Sequence, residues 1–387
     1  MSDTQKARSR NLVIGALVAD AAAMGLHWIY DQDHIQKIAP EKPEFRAPDG
    51  TNYKDVPSFF AHPTRKIGDP SQYGEQLLVM LRCLTANNNQ YDVATYAAAF
   101  REHFGYGGEY VGYIDHATRD TLDNFRRAQD NALAKAKALP FDGDASVTTS
   151  MVSKALILSA QLTGDTLRAK FEEVVRTTHN DDAVLTYGFE VLEQIIAAPP
   201  ASGADDQQLP AIAKLPPLVA LLADAGDDGF EQAVDSAVKV TSDHERSAAF
   251  GRVSGAMMRA AVQTGDAGTV AKAGRAQATP ETDALLADAL TRLQDNSNDV
   301  TKHFGMACDL NYGVPSVLHN VLTAPSYTEA VRRNIYAGGD TCGRSILLGA
   351  LAGAVHGFGG QNGIPQEWVD RLTHRQELID GLETLLA

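Results

Sequence analysis

Cysteine is scarce in this chain: Cys83, Cys308 and Cys342 are the only three among 387 residues. So few cannot form a disulfide framework, and their number predicts a reducing compartment. Basic charge is also short, with 34 Lys and Arg against 49 Asp and Glu and a formal net charge of −15. Such a surface repels phosphate backbones and anionic membranes, so nucleic acid and membrane are both excluded as expected partners. A single nucleotide-like ligand is not excluded, because it needs only a local pocket. No apolar run approaches the ~20 residues of a membrane span. The opening MSDTQKARSRNL is polar and basic, too short for a transit peptide and without the apolar stretch of a signal peptide. A soluble, cytoplasmic protein is the expectation.

Alanine and leucine are abundant, β-branched runs are short, and Pro/Gly-rich stretches separate segments of helical length. This pattern predicts an all-α protein, without fixed-period repeats or coiled-coil heptads. The first helix is expected from about Lys6 to Met24, with a small-residue stripe at Gly15, Ala19 and Ala23. It ends in GLHWIYD, so His27, Trp28 and Tyr30 emerge at its C-terminal end. Residues 31–70 read as a long, irregular, proline-containing loop or lid, a kind of segment that is usually functional. Further helices are expected over Glu75–Thr85, Val93–Phe104, Ile114–Leu139, Val147–Leu162, Leu167–Thr177 and Ala183–Ala197. Residues 198–217 have linker composition and read as a surface connection within one domain spanning 1–387. Beyond it, helical pattern resumes near Phe230 and then at Ser247–Gln263, Glu281–Gln294, Pro315–Leu322, Tyr327–Tyr336 and Gln366–Leu386.

The most informative text is NIYAGGDTCGRSILLGALAGAVHGFGG, Asn334 to Gly360. Gly338 and Gly339 permit a tight turn, and Asp340 and Thr341 then stand where a helix N-cap belongs. Gly349, Gly353 and Gly357 recur every four residues, leaving one helix face bare enough for another helix to press close. A carboxylate, a hydroxyl and a thiol (Asp340, Thr341, Cys342) are thereby presented at a helix start, where oriented N–H groups favour anions. An ordinary capped helix accounts for the same text.

This segment resembles the C-terminal motif of the ADP-ribosylglycohydrolase family, GGDTDT followed by an Ala/Gly-rich helix and an IPxxW turn, here Ile364, Pro365 and Trp368. The resemblance implies a single compact all-α domain. It also implies hydrolysis of an N- or O-glycosidic bond from ADP-ribose to a protein side chain or a related small molecule, with two magnesium ions held between the first and last motifs. The family's opening motif corresponds to ADAAAMGLH, in which Asp20 matches and His27 takes a glutamate's place. Its second motif, TDDT, corresponds to Tyr73, Gly74, Glu75 and Gln76, where only Glu75 keeps a carboxylate. In the last motif the second aspartate is Cys342 and the next threonine is Gly343. Magnesium prefers near-octahedral oxygen coordination, and losing two aspartates removes much of the charge that holds a pair. One ion between Glu75 and Asp340 is what the retained carboxylates leave room for.

The replacements themselves suggest other chemistry. His27, Glu75, Asp340 and Cys342 occupy aligned site positions and are expected to converge as the catalytic set. Cysteine, histidine and carboxylate suit zinc, and also suit a thiolate nucleophile, whose pKa a helix N-terminus would lower. A small buried residue filling the volume an aspartate left explains Cys342 equally well. The swap resembles the J-crystallin-like subgroup of the family, with its HWxYD and GGDxC text, and so admits a non-catalytic, crystallin-like or ligand-binding scaffold. For ligand binding the resemblance points to Asp20, Tyr73, Gly338, Gly339 and Thr341, and to His179 and Asp182 in a THxxP/A-like region. Arg119 is a further candidate, able to grip a diphosphate or to pair with Asp115 or Asp123 on a solvated face. HFGYGGEYVGY, 103–113, mixes glycines and aromatics as a ribose or adenine cradle would, or as a packed loop would. Small-molecule or ADP-ribosylated substrate is the expected partner, and the number of subunits stays open.

Overall fold

The structure, a computed structural model, describes residues 1–141, 143–159, 162, 164–196 and 202–387. Among the described residues there are helices and isolated bridges but no strand, as an all-α sequence requires. The helices are α1 (Asp3–Ala23), α2 (Gln32–Ile38), α3 (Gln72–Ala86), α4 (Val93–Phe104), α5 (His116–Lys137), α6 (Ala145–Ser159), α7 (Gly164–Thr178) and α8 (Asp182–Ile196). There follow α9 (Pro210–Ala213), α10 (Leu215–Leu222), α11 (Asp227–Thr241), α12 (Glu245–Thr264), α13 (Ala267–Ala276) and α14 (Pro280–Thr291). The chain closes with α15 (Ser297–Phe304), α16 (Leu310–Thr323), α17 (Tyr327–Tyr336), α18 (Thr341–His356), α19 (Gln366–Val369) and α20 (Arg375–Leu385). Two compact units result: Met1–Thr118 with Ala204–Ala387, and Arg119–Gly203.

The first unit is organised around α1 packed on α18, the first helix against the last long one. Glycine makes this approach possible. A Cβ on Gly349 would lie 2.2 Å from the carbonyl oxygen of Gly15, and one on Gly353 would lie 2.3 Å from that of Asn11. The helices therefore touch backbone to backbone, and Tyr327 seals the contact by donating its hydroxyl to Gly15 O at 2.6 Å. The expected stripe holds for Gly349 and Gly353, whereas Gly357 ends the helix at φ 80°, where a Cβ would meet nothing within 4 Å. A capping box of Ser2 and Gln5 starts α1 three residues earlier than the apolar pattern suggests. The stretch Asp3–Leu26 is long and apolar enough to cross a membrane, yet it is largely buried inside the protein, as a core helix is.

The second unit has its own core, in which Met151 and Val152 of α6, Phe171 of α7 and Tyr187 and Val191 of α8 are buried. Its helices follow the expected pattern. The expected ends at Leu162 and Ala197 run into residues 160, 161 and 197, which lie outside the described residues.

Two expectations need correction. Residues 198–201 of the supposed surface connection lie outside the described residues, but its later part is not on the surface. Pro210–Ala213 and Leu215–Ala220 are buried helix. Proline here occupies the first turn of each helix, where its missing N–H costs nothing, so proline-rich text concealed two core helices. The expected helix Gln366–Leu386 is broken after Val369 and restarts at Arg375. Residues 31–70 are irregular apart from α2 and a short 3₁₀ turn at Gly50–Tyr53.

Candidate functional site

The glycine turn before α18 joins the two ends of the chain. Gly338 and Gly339 adopt φ 70° and 66°, conformations that favour glycine. Gly339 donates its N–H to Ile29 O at 2.7 Å, and its carbonyl accepts from Trp28 N at 2.8 Å. Residues just after α1 are thus pinned to the residue before Asp340. Arg344, fully buried on α18, braces the turn through Asn334 Oδ1 at 2.8 Å and the carbonyl of Gly338.

Asp340 is the N-cap of α18. Its Oδ1 accepts from Gly343 N at 2.8 Å and its Oδ2 from the Tyr73 hydroxyl at 2.7 Å. Burial lifts its pKa to about 6 against the pull of those two hydrogen bonds. His27 lies beside it, Nδ1 3.7 Å from Asp340 Oδ1. That Nδ1 accepts the backbone N–H of Cys342 at 3.2 Å, so a neutral ring carries its proton on Nε2. Burial, then the nearby His62 and Arg344, keep the imidazole well below its usual pKa. His27 therefore acts as a second cap of α18 in its neutral form. The N-terminal amides that could have held an anion are already engaged by Asp340 and His27. Thr341 is buried in the same turn, its carbonyl accepting from Asn334 Nδ2 at 2.8 Å.

Asp20 braces the start of α3, accepting from Ser71 N at 2.7 Å and Ser71 Oγ at 2.5 Å. A Cβ on Gly74 would meet Asp20 Oδ2 at 2.3 Å, so glycine lets the carboxylate sit against the helix. Burial lifts Asp20 to about 7 despite those hydrogen bonds. Its geometry is that of a positioning residue for Tyr73 and Glu75. Glu75 turns the other way: Arg65 Nη1 lies 3.2 Å from Oε1 and His103 Nε2 3.1 Å from Oε2. Burial alone would raise its pKa, but the bond to His103 and the charge of Arg65 win and hold it below the usual range.

Of the two readings of Cys342, the structure favours the small buried residue over the thiolate. Cys342 is fully buried, and burial, reinforced by Asp20 and Asp340, pushes its thiol well above the ordinary value. Two carboxylates and a dry environment outweigh the helix N-terminus, whose N–H at Cys342 already serves His27. All three cysteines are free.

The donor set does not fit a magnesium pair. Asp340 spends both oxygens on Tyr73 and Gly343, and Glu75 already has a guanidinium against it. Among the described residues, no group of three His, Cys, Asp or Glu side chains is disposed to hold a metal ion.

Of the residues expected at the site, the structure brings together Asp20, His27, Tyr73, Gly338, Gly339, Asp340, Thr341 and Cys342, with Glu75 on the same first turn as Tyr73. Arg119, His179 and Asp182 belong to the second unit. Arg119 is exposed on α5. His179 closes α7, donating its N–H to Val175 O at 2.7 Å. Asp182 pairs with Arg176 at 3.1 Å, while Asp181 caps α8 through Ala183 N at 2.7 Å.

Sequence reading missed His62, Arg65 and Phe59, all in the irregular segment, and His103 as the partner of Glu75. His62 is 3% exposed and stacks on His27, ring centroids 5.4 Å apart. Trp28, Phe59 and Tyr113 form an aromatic cluster with centroids 5.1–5.6 Å apart. Trp28 sits at φ 63°, a strained conformation for a bulky residue, held by its bonds to Gly339 and Phe59. Tyr110 lies under the Arg65 guanidinium at 4.7 Å and donates its hydroxyl to Tyr113 O at 2.7 Å. Of the 103–113 text, His103 and Tyr110 line the neighbourhood of Glu75, whereas Tyr106 and Val111 are exposed.

Sequence comparison agrees with this arrangement. The family described as ADP-ribosylglycohydrolase matches residues 1–189 and 183–387, and this chain belongs to that family. It is similar to crystallin J1A of Tripedalia cystophora, 24% identical over 99% of this chain and 98% of that one. Crystallin J1B of the same animal is 23% identical over 98% and 96%. Among solved structures, a chain from an ADP-ribosylglycohydrolase-related protein complex superposes with a TM-score of 0.57 at 14% identity, covering 99% of this chain and 98% of that one. That likeness establishes the fold.

Proposed function

We propose that this chain is a ligand-binding member of its family, receiving an ADP-ribosyl or related ribosyl group beside His27, His62 and Arg65, without paired-magnesium hydrolysis. One observation carries the reading: both oxygens of Asp340 are occupied by protein donors, with the Tyr73 hydroxyl on Oδ2. A carboxylate so satisfied is a structural cap rather than an open metal ligand. The buried polar atoms of His27, His62 and Arg65 that lack partners among the described residues support a ligand over a purely structural scaffold. Family membership and the similarity to two crystallins support the same retained frame with altered chemistry. The three free cysteines support our placing it in the cytoplasm.

The test is calorimetric titration with ADP-ribose together with an assay for ADP-ribose release from an ADP-ribosylated peptide. Saturable binding without release is expected. Release that requires magnesium would overturn the proposal.

A second reading rests on Glu75, whose carboxyl is held ionised by His103 and Arg65, the state a general base needs. In that reading Glu75 positions water while Asp340 stabilises the developing ribosyl cation. Release of ADP-ribose in EDTA, lost in Glu75→Gln, would favour this metal-independent hydrolase.

A further inference from the structure

The residues that line the irregular segment leave their hydrogen-bonding capacity unused. Both ring nitrogens of His62, Nε and Nη2 of Arg65, and Nε2 of His27 are buried and have no hydrogen-bond partner among the described residues. Leaving a buried donor unmade costs roughly 1–3 kcal/mol, more for a charged group. These atoms fall on three neighbouring side chains, where a polar ligand would satisfy them.

The orientation of Arg65 narrows what fills it. Its Nη1 faces Glu75 Oε1 at 3.2 Å, and the Tyr110 ring lies against its face at 4.7 Å. Ion pair and ring together fix the plane of the guanidinium, the Tyr110 hydroxyl also interacts with it, and Nε with Nη2 keep no hydrogen bond of good geometry among the described residues. The Nε–Nη2 edge is a two-toothed donor fork matched to two oxygens of a phosphate or carboxylate. His62 precedes Arg65 by three residues on the same turn, its carbonyl accepting from Arg65 N at 3.3 Å. Its ring is buried between His27 and Tyr113, with centroids 5.4 and 6.4 Å away. A neutral histidine adds one further donor to such an oxyanion.

We propose that the Nε–Nη2 edge of Arg65, together with His62, binds a phosphoryl oxyanion of a ligand and does so without a divalent cation. Arg65 supplies the fixed positive charge beside Glu75. This rests on the ribosyl-ligand reading only for the choice of a phosphate ester as the natural ligand. The oxyanion site itself follows from the unspent donors.

The experiment is calorimetric titration of the full chain in EDTA with two probes, inorganic pyrophosphate and ADP-ribose. Both are expected to bind. Arg65→Lys keeps a cation for Glu75 but loses the fork, and should weaken both probes by about tenfold or more without lowering the melting temperature much. His62→Gln, which keeps a donor, should weaken them less. Binding that appears only when magnesium is added, or equal affinity in Arg65→Lys, overturns the proposal. Pyrophosphate binding that depends on Arg65, with no binding of ADP-ribose, would sink the ribosyl reading and leave the oxyanion site standing. ADP-ribose binding indifferent to Arg65→Lys would do the reverse.

Discussion

The two flanks of the site differ in how far their charged groups are satisfied, although the first also buries His27 Nε2 and the Gln72 amide without partners among the described residues. On the flank built by α1, the first turn of α3 and the start of α18, Asp20, Asp340 and Nδ1 of His27 each accept a hydrogen bond from the protein. On the flank built by the irregular segment, His62 and Arg65 keep buried nitrogens without partners among the described residues. The carboxylates divide the same way. Burial drives Asp20 and Asp340 up to about 7 and about 6, while Glu75, among cations, is held down. The carboxylate flank supplies rigidity, and the other holds the donors of the proposed oxyanion site. The contrast teaches that the carboxylate side of the site serves as scaffold.

The most severe way to break this comparison is to put back the aspartate at the thiol position. Cys342→Asp would set a third carboxylate near Asp20 and Asp340, where Arg344, already bracing the glycine turn, cannot offset all three. An uncompensated buried charge costs about 3–5 kcal/mol, so a large drop in melting temperature is expected. If the variant instead melts near the parent and is stabilised by magnesium, the carboxylate flank is not mere scaffold and the paired-metal reading revives.

Titration sharpens the same contrast. Asp20 has a folded pKa raised above its unfolded value, so the folded state binds the proton more tightly. Its contribution to stability is full below about 4 and is lost as pH rises through about 7. Glu75 works in the opposite sense, favouring the folded state above its unfolded pKa and losing that contribution as pH falls. Comparison of parent with Asp20→Asn isolates the first effect. The difference in unfolding free energy should move in the variant's favour between pH 4 and pH 8, by up to roughly 4 kcal/mol. A difference independent of pH would show that this carboxylate ionises freely where it sits.

Tyr73→Phe is a smaller break. It leaves Asp340 Oδ2 buried without its donor, at about 1–3 kcal/mol, and should raise the Asp340 pKa further. Unchanged stability together with new magnesium affinity would mean that the phenol was merely standing in a metal's place.

Much of the carboxylate flank was legible in the sequence because its cause is local text. Two glycines before an aspartate specify a turn and a cap, and small residues at spacing four on α1 and α18 specify close packing. The meeting of His27 with Asp340 was implied by the family resemblance rather than by the residues themselves. The charge state of Cys342 was not legible, since it depends on burial and on two carboxylates that other segments deliver. Nor were α9 and α10, because prolines in a first helical turn resemble prolines in a linker. His62 and Arg65 lie in text with no periodicity, so nothing in AHPTRK announces which side chains turn inward. Their partners come from α3, α4 and the loop after α4, and only the folded chain brings these together.

The mildest test concerns the flank of the irregular segment. His62→Leu removes two nitrogens that have no partner among the described residues and substitutes an apolar side chain of similar volume at a site 3% exposed. Satisfied buried groups are costly to delete, whereas replacing an unsatisfied one with an apolar group is close to neutral or stabilising. The stacking on His27 is lost, which offsets part of that gain. Stability is therefore expected to stay within about 1 kcal/mol of the parent, measured by denaturant unfolding, while pyrophosphate affinity falls. A loss as large as that of Tyr73→Phe would show that His62 carries structure too, and the two flanks would no longer differ in kind.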